Sequence, residues 1–325
     1  MAPFWPAEIF VNLWLQNLGT SLAPIMQFFS FFGQVEFYII LLPLLYWCVD
    51  ARLALQITSL LTFSGCSNSL LKITFHGARP YWFDPRIKAI SSESSFGIPS
   101  GHAQNAVVIW GFLATKFQKK WTVFLFYGLI LLISLSRLYL GVHFLSDILC
   151  GWFIGGIILF LFLKFEKPFL NWFNRFPLYQ KTYFLFLFTV ILFGSGLIWS
   201  AVQSQVPVPN DWLLNAKANP SAVPVSPYSP NDIVTFSGVF FGISAGYVWL
   251  NDKMTYKPGQ GSFIQKTLRF LIGLIGVLII VYGLGFVLPG GVDLLASMMR
   301  YVRFALTGVW VSAFCPLLFK KMHLL

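Results

Sequence analysis

The chain has 325 residues, of which 57% are hydrophobic, 18% aromatic and only 10% charged, with a mean hydropathy of +0.73. A soluble domain carries about 25% charged residues, so this composition excludes a disordered chain, a nucleic-acid-binding domain and an ordinary cytosolic enzyme, and it calls for a multi-pass membrane protein. The net charge of +11 comes from basic residues scattered between apolar runs, a pattern that orients helices in a bilayer rather than building a phosphate-binding stripe.

From the N-terminus, residues 1–20 lack a basic leader region and contain polar breaks, so the segment is expected to be retained. Ile9, Phe10, Leu13 and Leu15 give it the pattern of a helix lying at the membrane interface. Nine stretches then approach the ~20 apolar residues that a bilayer core requires. They are 32–49, 53–71, 103–116, 121–136, 144–163, 183–202, 233–250, 268–288 and 301–319. The third and fourth are short, which implies tilt or local thinning. The fold class expected is all-α, a multi-pass transmembrane helical bundle of about nine spans, with no convincing internal repeat. Cys48, Cys66, Cys150 and Cys315 stand singly in apolar runs, without CxxC, and read as buried small hydrophobes rather than disulfides or metal ligands.

Nine spans alternate the loops between two sides. Lys72, Arg79, Arg86, Lys88, Arg137, Lys217, Arg300 and Arg303 fall on one side, and the other fourteen of the 22 basic residues fall on the opposite side. The positive-inside rule assigns the richer side to the cytoplasm. Two outward loops are then long: 72–101, and the Pro-, Ser- and Asn-rich 203–232. Loops of this length are usually functional or disordered.

Three polar groups interrupt the apolar pattern, all at outward span ends: Lys72 through Arg79-Pro80, then Pro99-Ser100-Gly101-His102, then Ser136-Arg137 through His143 to Asp147. Lys72, Arg79 and Arg137 supply three fixed positive charges, enough to surround a phosphate or its transition state. Gly101 allows close backbone approach at a helix N-terminus, where amides favour an anion. His143 and Asp147 are four apart at a helix start and share a face. Asp147 can orient one ring nitrogen of His143 and leave the other free to attack, and His102 is the remaining candidate for proton transfer. Singly, each has a plainer reading: a histidine cap, arginines and lysines snorkelling at span ends, and Gly151, Gly155 and Gly156 easing helix packing. Tyr81, Trp82 and Phe83 suit either substrate stacking or an interfacial aromatic belt. His76 and His323 read as solvated or interfacial.

The pattern Lys-x6-Arg-Pro, Pro-Ser-Gly-His, Ser-Arg-x5-His-x3-Asp, with eleven specified positions in order, resembles the type 2 phosphatidic acid phosphatase (PAP2) superfamily, which also includes the vanadium haloperoxidases. The resemblance spans roughly 53–163. It implies 32–165 as a catalytic PAP2-type transmembrane core, between an N-terminal interfacial helix, 1–31, and additional C-terminal transmembrane helices, 166–325. Nine spans with the first motif directly after the second resemble the glucose-6-phosphatase and sphingosine-phosphate phosphatase branches, and Arg-Pro-Tyr-Trp at 79–82 is similar to glucose-6-phosphatase. The resemblance implies His143 as nucleophile, Asp147 as its orienting partner and His102 as acid and then base. It implies that Lys72, Arg79, Arg137, Ser100 and Gly101 hold the phosphoryl oxygens, that vanadate mimics phosphate, and that neither metal nor cofactor is needed.

The function expected is a metal-independent phosphatase acting on an amphiphilic phosphorylated substrate such as a polyprenyl diphosphate, phosphatidate or sphingoid phosphate. Its setting is expected to be a bacterial inner membrane with a periplasmic site, or the endoplasmic reticulum with a lumenal one. Membrane lipids are the expected partners, with a homo-oligomer open and no nucleic acid. Alternatives are a sugar-phosphate phosphatase, a lipid phosphotransferase and, from another class, a phospholipid or phosphate transporter, which should hold its charges near the midplane rather than at one boundary.

Overall fold

The computed structural model describes residues 5–117, 119–219 and 223–325, which contain helices and no strand. The first four residues of the expected N-terminal helix and residues 220–222 of the long 203–232 loop lie outside the described residues. In chain order the helices are α1 (Trp5–Asn17), α2 (Ala23–Phe31), α3 (Val35–Cys48), α4 (Ala51–Phe75), α5 (Pro80–Phe83), α6 (Gly101–Lys116) and α7 (Lys120–Tyr139). They continue as α8 (Leu145–Phe173), α9 (Leu178–Gln203), α10 (Asn210–Lys217), α11 (Asn231–Lys253), α12 (Phe263–Val287) and α13 (Leu294–Lys321). A π-helical turn interrupts α12 at Ile279–Gly283 and α13 at Trp310–Phe314.

All nine expected stretches are helical, but nine spans are not reproduced. Six helices among the described residues, α7, α8, α9, α11, α12 and α13, are long and apolar enough to cross a membrane. The count becomes seven if the pair bent by 44° between Thr20–Phe31 and Val35–Cys48 is one broken span. The shortfall has physical causes. Helix α4 is 25 residues long but diluted by Gln56, Thr58, Thr62, Ser64, Asn68, Ser69 and Lys72, all of them buried. Helix α6 has only 16 residues, short of the ~20 a bilayer core requires. The N-terminal segment is likewise two helices joined by a 3₁₀ turn at Thr20–Leu22 rather than one.

The described chain forms two compact units that interleave along the sequence. Unit 1 takes Met1–Gln34, Ser67–Phe162 and Ile198–Ser229, and unit 2 takes Val35–Cys66, Leu163–Leu197 and Pro230–Leu325. Unit 1 is built on aromatic packing. The Trp5 ring stacks on Phe144 at 5.6 Å and meets Phe83 and Trp212 edge-on at 5.5 and 5.9 Å. Along α1, Trp5, Ile9, Asn12 and Leu15 are buried at helical spacing, so this helix belongs to the core of unit 1 and not merely to an interface. Gly151 and Gly155 of α8 let α6 approach closely, since a Cβ there would lie 2.7 Å from Ser100 O and 2.8 Å from Gln104 O. Gly156 faces open space.

Unit 2 relies on a different device. Gly238, Gly242 and Gly246 of α11 stack against the α13 backbone and Ser312, the small-residue seam by which membrane helices gain van der Waals contact. The fully buried Arg269 of α12 donates to four carbonyls, Leu324 O at 2.7 Å, Gln260 O at 2.8 Å, Pro258 O at 2.9 Å and Trp47 O at 3.3 Å. This satisfies a buried guanidinium without a carboxylate. All four cysteines are free, three of them buried.

Candidate active site

Local rules deliver each polar group to one place in unit 1. Lys72 comes from the last turn of α4. Arg79 is held extended (φ −87°, ψ 154°) ahead of Pro80, which opens α5. Ser100 caps α6, accepting from Ala103 N, so Gly101 is the first residue of the helix and His102 the second. Arg137 lies in the last turn of α7, His143 in the connection 140–144, and Asp147 in the first turn of α8. Lys72, Arg79, Ser100, Arg137, His143 and Asp147 are buried, whereas Gly101 and His102 are partly exposed.

Two contacts fix the state of His143. Its Nδ1 lies 3.1 Å from Asp147 Oδ2, and its Nε2 lies 3.4 Å from Arg79 Nη1. A guanidinium only donates and an ionised carboxylate only accepts, so the partners assign Nδ1 as the protonated nitrogen and leave the lone pair on Nε2. Asp147 Oδ2 also accepts from Phe144 N at 2.9 Å, which anchors the carboxylate. Burial, reinforced by the charges of Arg79, Lys72 and Arg137, holds the imidazole well below the ordinary histidine range, so it is neutral at neutral pH. His102 Nε2 is buried and has no hydrogen-bond partner among the described residues.

The three cationic groups share one counterpart, the strap 93–96. Lys72 Nζ donates to Phe96 O at 2.7 Å and Ser95 Oγ at 3.2 Å. Arg79 donates to Ser95 O at 2.6 Å and to Ser95 Oγ and Phe96 O at 3.1 Å each. Arg137 pairs through Nη2 with the Glu93 carboxylate and donates through Nη1 to Ser30 Oγ at 2.5 Å. Burial alone would raise the Glu93 carboxyl, but the charges of Arg137, Arg79 and Lys72 outweigh it and hold the pKa down at about 2. Glu93 is therefore an anion already drawn to the field of the three cations.

A second layer holds these groups in register. Asn12 of α1 donates to Leu138 O at 2.8 Å and His143 O at 3.1 Å, pinning the backbone on either side of the 140–144 turn. Glu8 accepts from Ser146 Oγ at 2.9 Å. Tyr81 OH donates to Glu93 O at 3.1 Å, and Ser226 N donates to Ser94 O at 3.0 Å, so the long C-terminal loop of unit 1 touches the strap. Tyr81 and Trp82 are buried and Phe83 is part-buried, which corrects the aromatic-belt reading for the first two. His76 is part-buried, its ring packed edge-on against Phe96 at 5.2 Å and Tyr228 at 5.6 Å.

All eight residues expected from the motifs lie in unit 1, and contacts tie Lys72, Arg79 and Arg137 to the strap and His143 to Asp147 and Arg79. Sequence reasoning missed Glu93, Ser95, Ser30 and Asn12. Asn12 had a signal, a polar residue on the Ile9–Leu15 face of α1. Glu93, in a serine-rich loop, had only its rarity as one of 11 acidic residues. Among the described residues, no three His, Cys, Asp or Glu side chains converge as metal ligands.

Comparison with known families gives two matches along the chain. Residues 53–171 match the PAP2 superfamily, and residues 234–325 match the PAP2 superfamily phosphatase, transmembrane extension. The chain carries a PAP2 superfamily domain and a PAP2 transmembrane extension. It is 32% identical over 151 residues to lipid phosphate phosphatase delta of Arabidopsis thaliana, covering 41% of this chain and 36% of that protein. It is 36% identical over 109 residues to phosphatidylglycerophosphatase B of Bacillus subtilis, covering 31% and 51%. The match to glucose-6-phosphatase 2 of Mus musculus is 26% identical over 234 residues, 60% and 61%. The chain thus spans between about a third and three-fifths of the length of these relatives. The second match accounts for α11, α12 and α13 as a PAP2-associated transmembrane extension.

Proposed function

We propose that this PAP2 protein is an integral-membrane phosphatase that removes a terminal phosphate or diphosphate phosphoryl group from a lipid through a phosphohistidine, with no metal. The observation that carries this reading is the assigned tautomer of His143: a buried, neutral imidazole whose lone pair sits beside Arg79 and whose far nitrogen is held by Asp147. Nε2 attacks phosphorus and the bond to the leaving oxygen breaks. His102, held neutral by burial and by the charges of Arg137, Lys72 and Arg79, takes up a proton when the anionic phosphoryl group offsets those charges, and supplies it to the leaving oxygen. His102 then accepts a proton from water as that water attacks the phosphohistidine, releasing inorganic phosphate and restoring the imidazole. Lys72, Arg79 and Arg137, with Ser100 and the Gly101 amide, stabilise the equatorial oxygens. This chemistry does not depend on which side the site faces, and the nine-span alternation that sorted the basic residues is not reproduced.

The test is a panel of phosphatidate, sphingoid phosphate, polyprenyl diphosphate and glucose phosphate presented to the purified protein, with and without vanadate. Lipid phosphates are expected to release phosphate fastest, and vanadate, as a mimic of the trigonal-bipyramidal phosphoryl group, to abolish release. No vanadate-sensitive release from any member would sink the proposal. A sugar phosphate is the second reading, favoured by an open crevice of about 300 Å³ lined by Gln27, Ser30, Gln34 and Ser91 as well as Phe31, Ile90 and Leu140. Ser30 joins it to Arg137, and its polar wall suits hydroxyl groups.

Glu93 gives this reading a further handle. An incoming phosphoryl group competes with its carboxylate for Arg137, so Glu93→Gln is expected to tighten vanadate inhibition by roughly three- to tenfold, the scale of one ordinary net hydrogen bond. With a pKa near 2 the carboxyl stays ionised at every working pH, so the tightening should be flat from pH 5 to 8. An unchanged inhibition constant would mean that the carboxylate does not overlap the phosphoryl position.

A further inference from the structure

Unit 2 holds a second cationic cavity, of about 110 Å³, lined by Gly285, Leu288, Pro289, Gly290, Gly291, Arg300 and Arg303. Arg300 and Arg303 are three apart on α13, and so present both guanidinium groups to one side. Arg300 Nη1 reaches Thr235 Oγ1 at 3.5 Å, and Asp232 at the start of α11 offsets part of its charge. Arg303 is different. Its Nε is buried without a hydrogen-bond partner among the described residues, and its guanidinium lies 5.0 Å over the Phe304 ring. It packs against Gly285, where a Cβ would stand 2.6 Å from Nη1, so the backbone is shaped around the guanidinium. The residue as a whole is part-buried, but an unmatched guanidinium nitrogen buried beside a cavity in a membrane chain calls for an acceptor. The surroundings indicate what the ligand must look like. Phe286 and Val287 are 90% and 80% exposed, and Leu294 and Leu295 beside the mouth are also exposed. A partner that satisfies all of this has an anionic head for the arginines and apolar chains for the flanks.

We propose that this cavity binds the phosphodiester headgroup of an anionic phospholipid, with its acyl chains lying along Phe286, Val287, Leu294 and Leu295. The site serves the transmembrane extension and is independent of the His143 chemistry, because a phosphodiester lipid carries no terminal phosphate. It is tested by thermal unfolding of the full chain in neutral detergent with added phosphatidylglycerol, phosphatidylcholine or inorganic phosphate. Phosphatidylglycerol is expected to raise the midpoint by at least ~2 °C and the other two to leave it unmoved. Arg300→Gln/Arg303→Gln is expected to lose the rise while hydrolysing a soluble aryl phosphate at the wild-type rate. If the double variant does not fold, Gly285→Ala, which displaces the Arg303 guanidinium and keeps its charge, should lose most of the rise instead. An equal rise in wild type and in the folded variant would overturn the proposal. So would a rise with inorganic phosphate that matches phosphatidylglycerol, which would reduce the site to one for free phosphate.

Discussion

Replacing His143 with alanine is expected to lower phosphate release by at least roughly 10⁴-fold, the scale seen when a covalent nucleophile is removed from a preorganised site. Three cations and a helix N-terminus would still bind the phosphoryl group, so the loss should fall on kcat, with substrate affinity little changed. The imidazole makes two polar contacts, to Asp147 and Arg79, and its backbone is fixed separately by Asn12, so the variant should insert and fold. Wild-type protein quenched during turnover of a radiolabelled substrate should carry acid-labile, base-stable label, and the variant none. A loss smaller than ~10-fold would show that Nε2 is not the attacking atom. The pH behaviour has a definite sign. His143 is held below its unfolded value, so the folded chain binds no proton there when the unfolded chain does. Its burial therefore costs stability as pH falls below ~6.5 and nothing above it. The acid limb of kcat/KM, which reports the free enzyme, should correspondingly lie below the ordinary histidine range.

Asp147→Asn is expected to cost roughly 10²- to 10⁴-fold in kcat while leaving KM nearly unchanged. The Asp147 carboxylate oxygen accepts from both His143 Nδ1 and Phe144 N. An amide oxygen can accept the same two bonds, so geometry survives, but the charge that stabilises a phosphorylated imidazole is lost. If the amide turns over, its NH₂ meets two donors and His143 is driven to the opposite tautomer, with Nε2 protonated. Either path removes reactivity and not binding. A variant whose KM rose in proportion to its fall in kcat would show that Asp147 shapes the cradle, not the nucleophile.

Motif residues were legible because their chemistry imposes spacing. Lys72 and Arg79 end a helix and open the next one, and His143 and Asp147 are one turn apart, so their positions follow from periodicity. The helical class was legible from hydropathy. The span count was not, because 53–71 and 103–116 read as apolar stretches although α4 is diluted by seven buried polar residues and α6 is only 16 residues long. Glu93 and Ser95 were hidden for another reason. They act from an irregular loop, and which loop atom meets which cation depends on tertiary folding that has no period. Asn12 lay 131 positions from the carbonyl it holds, a separation that no local pattern spans.

The interleaving of unit 1 bears on how this protein can be cut and recombined. The stretch that matches the superfamily, 53–171, omits Asn12 and Ser30, which support His143 and Arg137, and it omits Ser226, which touches the strap at Ser94. A fragment trimmed to the match would keep every side chain proposed to act on the phosphoryl group and lose the contacts from Asn12, Ser30 and Ser226. Swapping substrate preference between relatives therefore calls for transplanting three discontinuous segments together, 1–34, 67–162 and 198–229. Drift in any one of them is felt by the other two, and an insertion far from the motifs in sequence can be as damaging as one inside them.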